Sequence, residues 1–210
     1  AVFDLKTGPH EPHIDCQIAA YWELLRNGKA EGIVFDPDTH TATVNGDPFR
    51  SVTTILRDAE MTPDFYQWLD PWYLTRGKYV HLASELYDKG TLDESTVDEE
   101  VKPYLEAYKT FRRDFSAKIT GIEVQLYHPV YKYFGIIDRI MEGNTCYSLH
   151  LKPKQRIPYR LVEVPNIRAH FNYFVSALIA TDENRNGQQK EIALCNLATW
   201  RKRYIKEKEI

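Results

Sequence analysis

Three extended segments follow one another in the middle of the chain, and they constrain the fold more than any other feature. Residues 121–128, 131–141 and 146–151 are rich in Ile, Val and Tyr, and turn residues such as Pro129 and Gly143 separate them. β-Branched and aromatic side chains pack well on a pleated surface. The composition therefore predicts three strands of one sheet.

Helical patterns lie on both sides of these strands. Apolar residues recur at helical spacing in six segments, at 14–25, 51–57, 72–88, 97–118, 169–181 and 191–208. Shorter strands are predicted at 2–6, 33–35, 41–44 and 159–164. This mixture, in a chain of 210 residues of which 43% are hydrophobic, predicts one α/β domain with a central sheet flanked by helices.

Composition limits the class of protein. The net charge is only -3, so any contact with nucleic acid must come from local cations rather than from bulk charge. Cys16, Cys146 and Cys195 lie far apart, which predicts neither a zinc site nor a disulfide framework and fits a reducing cytoplasm. No apolar run reaches the roughly 18 residues of a membrane span. We therefore expect a cytoplasmic protein that does not enter a membrane.

One acid interrupts an apolar strand. Asp138 lies between Ile137 and Arg139, inside the segment 135–140. A buried carboxylate is costly unless it pairs with a cation or binds a metal. Two interpretations follow, a metal ligand or a surface acid paired with Arg139, and Glu123 poses the same question one strand earlier.

An Asp-x-Lys pattern lies on the first predicted strand. Alternation places Asp4 and Lys6 on the same face of that strand. There a carboxylate can hold a divalent metal, and an ammonium can orient the attacking water or stabilise charge on a phosphate. The pattern alone is weak, but Gln17 and Tyr21 follow at i and i+4 on one face of the next helix.

A histidine and a glutamate share a face of the predicted helix 72–88. His81 and Glu85 are four residues apart, which is one helical turn. A lone helical histidine is usually structural. Because a carboxylate accompanies this one, we interpret His81 as a metal ligand and Glu85 as a further candidate.

Together these segments resemble the motif set of the PD-(D/E)XK nuclease superfamily, in the branch of the RecB-like and phage exonucleases. The resemblance includes residues 48–56 and 76–81 and covers most of the chain. It implies a restriction-endonuclease-like fold and Mg²⁺- or Mn²⁺-dependent hydrolysis of DNA, as an exonuclease of phage-type DNA processing or recombination. Implied partners are DNA and either a second copy or a recombination protein, in a bacterial host cell if a phage encodes the chain.

The resemblance also implies roles for particular residues. The implied metal ligands are Asp138, Asp4 and His81. Lys6 is implied to act in catalysis together with the two aspartates. Gln17 and Tyr21 are implied to contact DNA, and Glu123 and Glu85 are less secure candidates near the metal.

The order of the motifs departs from the family, because here the Asp-x-Lys strand precedes the strand of Asp138. Three explanations stay open: a natural or engineered circular permutation of one module, a preceding copy that ends with residues 1–30, or segments absent from the sequence. A complete second copy would need its own Asp-x-Lys after Asp138, but His150-Leu151-Lys152 lacks the carboxylate. We favour one permuted module over residues 1–210, in which 1–30 carry the Asp-x-Lys and Gln-x-x-x-Tyr elements.

This interpretation makes two structural predictions. Strand 2–6 should lie beside strand 131–141, and the ring of His81 should face Asp138. Two other functions are weighed against the nuclease: a catalytically inactive nuclease-fold module that binds DNA or assembles with a partner, and an unrelated α/β protein in which Asp4-x-Lys6 is accidental. Separation of Asp4 from Asp138 in space would favour the second of these.

Overall fold

The computed structural model of the protein describes residues 1–36, 39, 41–63 and 70–204. Within these residues an eight-stranded mixed sheet is flanked by helices, which confirms the predicted α/β class. The strands are β1 (Val2–Lys6), β2 (Ile33–Asp36), β3 (Thr41–Val44), β4 (Asp47–Ser51), β5 (Ile119–His128), β6 (Tyr133–Met141), β7 (Cys146–Leu151) and β8 (Tyr159–Glu163). The helices are α1 (Pro12–Asn27), α2 (Val52–Asp58), α3 (Pro71–Lys89), α4 (Lys102–Asp114), α5 (Ile167–Ala180) and α6 (Gly187–Tyr204).

Most element bounds agree with the sequence patterns, and the differences have local causes. Strand β4 was not predicted, because its Asp and Pro disfavour a strand; pairing with β3 and β6 forms it. The predicted helix 97–118 is shorter at both ends, and a 3-10 helix at Glu94–Thr96 precedes it. Residues 37, 38 and 40 of the predicted hairpin turn, and the predicted helical residues 205–208, lie outside the described residues.

The chain forms two compact units. The first contains Ala1–His10, Asp64–Glu123 and Asp138–Glu163. In it, β1 pairs antiparallel with β6 and parallel with β7, and β7 pairs antiparallel with β8. The predicted placement of strand 2–6 beside strand 131–141 is therefore confirmed.

Helices α3 and α4 cover one face of the sheet in this first unit. Alternation along β1 turns Phe3 and Leu5 toward these helices. The buried apolar cluster includes Phe3, Leu5, Val80, Ala83, Leu105, Tyr108, Phe111, Leu149 and Leu151. Burying each large apolar side chain contributes about 1.5–3 kcal/mol, so this core holds β1 firmly.

The second unit contains Glu11–Pro63, Val124–Ile137 and Val164–Ile210. Its strands β2, β3 and β4 form an antiparallel meander, and β4 pairs in parallel with the first residues of β6. A Cβ at Gly135 would lie 2.6 Å from Cε1 of Tyr21, so glycine permits the close contact of β6 with α1. Among the helices of the described residues, none combines the length and apolarity that crossing a membrane requires.

Candidate functional site

The two predicted aspartates meet in the sheet of the first unit. Val2 pairs with Ile140 and Phe3 with Arg139, and the next position in this register places Asp4 opposite Asp138. Opposite residues of an antiparallel pair project to the same face with Cα atoms about 4.5–5.5 Å apart. The backbone N–H of Leu5 also donates to Oδ2 of Asp138 at 2.8 Å. The two aspartates are therefore not separated in space.

Asp4 forms an ion pair with the lysine of its own motif. Nζ of Lys6 lies 2.8 Å from Oδ2 of Asp4, whose side chain is 3% exposed while that of Lys6 is 25% exposed. Burial raises the pKa of Asp4, the charge of Lys6 opposes this shift, and the charge of Asp138 adds to it. The pair thus combines a buried carboxylate with a partly exposed ammonium.

Three side chains converge on a space of the size that a metal ion needs. His81, Glu123 and Asp138 each offer one ligand atom, and these atoms lie within 4.8 Å of one another. Nδ1 of His81 is 3.5 Å from Oδ2 of Asp138, which confirms that the ring faces Asp138. Ligand distances of about 2.0–2.4 Å allow two ligand atoms on one ion to be at most about 4.8 Å apart. The three residues could therefore hold one divalent ion.

Glu123 takes the third place in this group. Its φ of 50° lies in the left-handed region although it is not a glycine, at a cost of about 1–3 kcal/mol. Burial and then the charge of Asp138 raise the pKa of Glu123 to about 8, and Arg139 opposes the shift. The resemblance implied that Glu123 is a less secure ligand than Asp4, but the structure groups Glu123 with His81 and Asp138. The metal-binding role of Asp4 stays a prediction.

Arg139 pairs with acids other than its neighbour in sequence. Its Nε lies 2.5 Å from Oδ2 of Asp88, and its Nη1 lies 3.2 Å from Oε1 of Glu123. It contacts Asp138 only at the backbone, donating from Nη1 to the carbonyl oxygen at 2.6 Å. Because Asp138 is buried, its interpretation as a surface acid paired with Arg139 is wrong.

Asp88 is the centre of a second charged group. Besides Arg139 it contacts Nε of Arg112 at 3.3 Å, and the hydroxyl of Tyr108 donates to its Oδ2. Nη2 of Arg139 donates to the Ser84 hydroxyl at 3.2 Å. Sequence analysis did not identify this group, although a cation within an apolar strand is itself a sign that a buried acid lies nearby.

Glu85 lies near the three-residue group without belonging to it. Its carboxylate pairs with Lys89 one turn further along α3. Its charge contributes to the raised pKa of Glu123, so the two carboxylates interact. Its role as a metal ligand stays a prediction.

Gln17 and Tyr21 belong to the second unit. Nε2 of Gln17 donates to the hydroxyl of Tyr21 at 3.0 Å, and both side chains are buried. This contact confirms that they share a face of α1. Their contact with DNA stays a prediction.

A histidine and serine cluster beside Lys6 was missed. In the pairing of β1 with β7, His150 lies opposite Lys6. Nδ1 of His150 donates to the Gly8 carbonyl at 2.9 Å, leaving Nε2 to accept from Oγ of Ser148 at 2.9 Å; His10 completes the cluster. Burial is the main cause that lowers the pKa of His150 to about 4, so the ring is uncharged at neutral pH.

Comparison of the chain with protein-family models, with curated proteins and with solved structures finds no match. The nuclease resemblance therefore stays a prediction.

Proposed function

We propose that this protein is a divalent-metal-dependent nuclease that hydrolyses phosphodiester bonds of DNA. The observation that carries the proposal is the convergence of His81, Glu123 and Asp138 beside the ion pair of Asp4 and Lys6. Five polar residues from four separate segments, arranged around one small space, match the parts that such a reaction needs. DNA as the substrate, and exonuclease action on it, come from the motif resemblance.

The ligand chemistry of the group fits Mg²⁺ or Mn²⁺. Two carboxylates and one imidazole, all partly accessible, form a set that hard and intermediate divalent ions accept. Burial, and then the charge of Asp138, raise the pKa of Glu123. A divalent ion would supply positive charge to the two carboxylates. When bound, the ion would polarise the phosphodiester and stabilise the leaving oxygen.

Lys6 supplies the remaining chemistry. Its ammonium is held by Asp4 and remains partly exposed, so it can reach a bound phosphate or water. A fixed positive charge at this place orients the attacking water or stabilises the charge that develops on the phosphate. Asp138 anchors the arrangement, since it binds the backbone of Leu5 between the two motif residues.

A second candidate is a catalytically inactive module that binds DNA or assembles with a partner. The ion pair of Asp4 and Lys6 favours it, because the pair engages the ammonium that catalysis would need. If Lys6 stays bound to Asp4 in the presence of substrate, the fold would bind DNA without cutting it.

Cleavage of linear duplex DNA with Mg²⁺ or Mn²⁺ tests the proposal. We expect Lys6→Ala to slow cleavage by a factor of about 100 or more, because it removes a charge that acts on the transition state. Mn²⁺ binding, measured by calorimetry, should be unchanged in Lys6→Ala and weakened in Asp138→Asn. Lys118→Ala, which removes an exposed ammonium of the same unit, serves as the matched control.

Two results would contradict the assignment. Equal cleavage rates for Lys6→Ala and the unmutated protein would show that Lys6 is not catalytic. DNA binding without cleavage, with either metal, would replace the nuclease by the inactive module.

A further inference from the structure

A cavity of about 660 Å³ lies in the first unit next to the candidate site. Thr7, which directly follows Lys6, forms part of its wall. Arg76 forms another part, five residues before His81 in α3, which is about 7.5 Å along the helix axis. Along β1 and α3, the cavity therefore lies next to the candidate catalytic residues.

Arg76 is held in this cavity with an unused donor. Its guanidinium lies between the rings of Tyr73 and Tyr104, 4.9 and 5.0 Å from their centroids. Its Nε is buried and has no hydrogen-bond partner among the residues that the structure describes. The two rings hold the guanidinium charge at the cavity wall, where it attracts an anion.

The other charged groups of the cavity favour an anion. Lys152 and Lys154, in the loop between β7 and β8, add two cations to the wall. Of the two acids in the wall, Glu99 pairs with Nζ of Lys102 at 2.5 Å, whereas Glu100 accepts from the neutral Nε1–H of Trp72 at 2.6 Å and keeps its charge. The wall therefore carries three cations against one carboxylate that no cation offsets.

We infer that this cavity binds the unpaired strand of the DNA next to the scissile phosphate, an inference that rests on the proposed nuclease function. Cations that attract the backbone, combined with aromatic rings on which bases stack, are the recognition chemistry of single-stranded nucleic acid. Tyr73 is 49% exposed, so its ring is accessible to a base. A cavity of this volume holds a ligand of about one or two nucleotides, which suits a single strand and not a duplex.

Binding of a labelled oligo(dT) of about 12 nucleotides, followed by fluorescence anisotropy in EDTA at several KCl concentrations, tests the inference without cleavage. The variants are Arg76→Lys and the double change Lys152→Gln with Lys154→Gln. Arg113→Gln with Lys118→Gln removes two exposed cations of the same unit that lie outside the cavity wall, and is the matched control.

We expect the double lysine variant to bind the oligonucleotide about ten-fold more weakly and to reduce the slope of log K against log salt concentration by about 1.4, because each lost phosphate contact removes about 0.7. Arg76→Lys keeps the charge but loses the planar guanidinium, and should weaken binding about ten-fold as well. At the same salt concentration, the control pair should change the affinity for the oligonucleotide by less than about two-fold.

The outcomes separate this inference from the nuclease proposal. Cavity variants that bind the oligonucleotide as tightly as the control, or an unmutated protein that prefers a duplex of equal length, would overturn the inference while Mn²⁺-dependent cleavage could still stand. Weaker binding by both cavity variants in a protein that cuts no DNA would support single-strand binding by the cavity and reject the nuclease.

Discussion

Two charged groups of the first unit differ in charge balance. The arginine cluster consists of Asp88, Arg112 and Arg139, and its carboxylate lies between two guanidiniums. The acidic cluster consists of His81, Glu123 and Asp138, in which two carboxylates face one imidazole. Burial and then the charge of Asp138 raise the pKa of Glu123 to about 8, even though Arg139 partly offsets them. The side chains of Asp88 and Asp138 are 1% and 12% exposed, so charge balance rather than burial distinguishes the proposed metal site from the arginine cluster.

Breaking the arginine cluster should have the largest effect. Arg139→Met leaves Asp88 and Glu123 without their main cation, and removing one partner of a buried ion pair typically costs about 3–5 kcal/mol. Urea unfolding at neutral pH, in EDTA, would measure this loss of unfolding free energy. Lys118→Met, at an exposed position, should change it by less than about 0.5 kcal/mol. A similar small loss for Arg139→Met would mean that the arginine cluster is not structural.

Binding of Mn²⁺ to the acidic cluster should have the next largest effect. A ligand that binds only the folded protein stabilises it by about 2.7 kcal/mol at a concentration 100 times Kd. We therefore expect Mn²⁺ at that excess to raise the unfolding free energy of the unmutated protein by about this amount. In Asp138→Asn the gain should disappear, and the same gain in both proteins would place the bound ion elsewhere.

Removing one charge from the acidic cluster should have the smallest effect, and its sign depends on pH. The folded-state pKa of Glu123 is raised from 4.5 to about 8. The stability that its bound proton contributes is therefore complete below pH 4.5 and is lost as pH rises through about 8. Without metal, the unmutated protein should lose about 1–2 kcal/mol relative to Glu123→Gln between about pH 7 and about pH 8.5. Parallel pH profiles for the two proteins would show that Glu123 is charged throughout.

The sequence predicted the parts of this comparison that local patterns encode. Alternation along β1 predicted that Asp4 and Lys6 share a face, and the motif resemblance predicted that β1 and β6 are neighbours, because only that pairing unites the two halves of the motif. Helical spacing placed His81 on α3, and its ring faces Asp138 as expected. Each of these predictions needed only the residue periodicity of one strand or helix and one sequence motif.

The rest depended on contacts between distant segments. The left-handed backbone of Glu123 and the pairing of Asp88 with Arg139 follow from tertiary packing, which no spacing in the sequence indicates. The cluster of His10, Ser148 and His150 was missed for the same reason, since its members are about 140 residues apart in the chain. Strand β4 likewise forms because its neighbours offer hydrogen bonds and not because its own residues favour it.

The place of β1 between β6 and β7 has a consequence for how the protein is made. The contact of Leu5 with Asp138 spans 133 residues, and both neighbours of β1 are translated long after it. At about 5–20 residues per second, the ribosome needs on the order of 10–30 s to supply them. During that time β1 has neither of its neighbouring strands, so Asp4 and Lys6 are not yet held in a sheet. If the protein is the nuclease proposed above, it would acquire its activity only after β6 and β7 have been synthesised, so chains terminated before these strands would be harmless to the DNA around them.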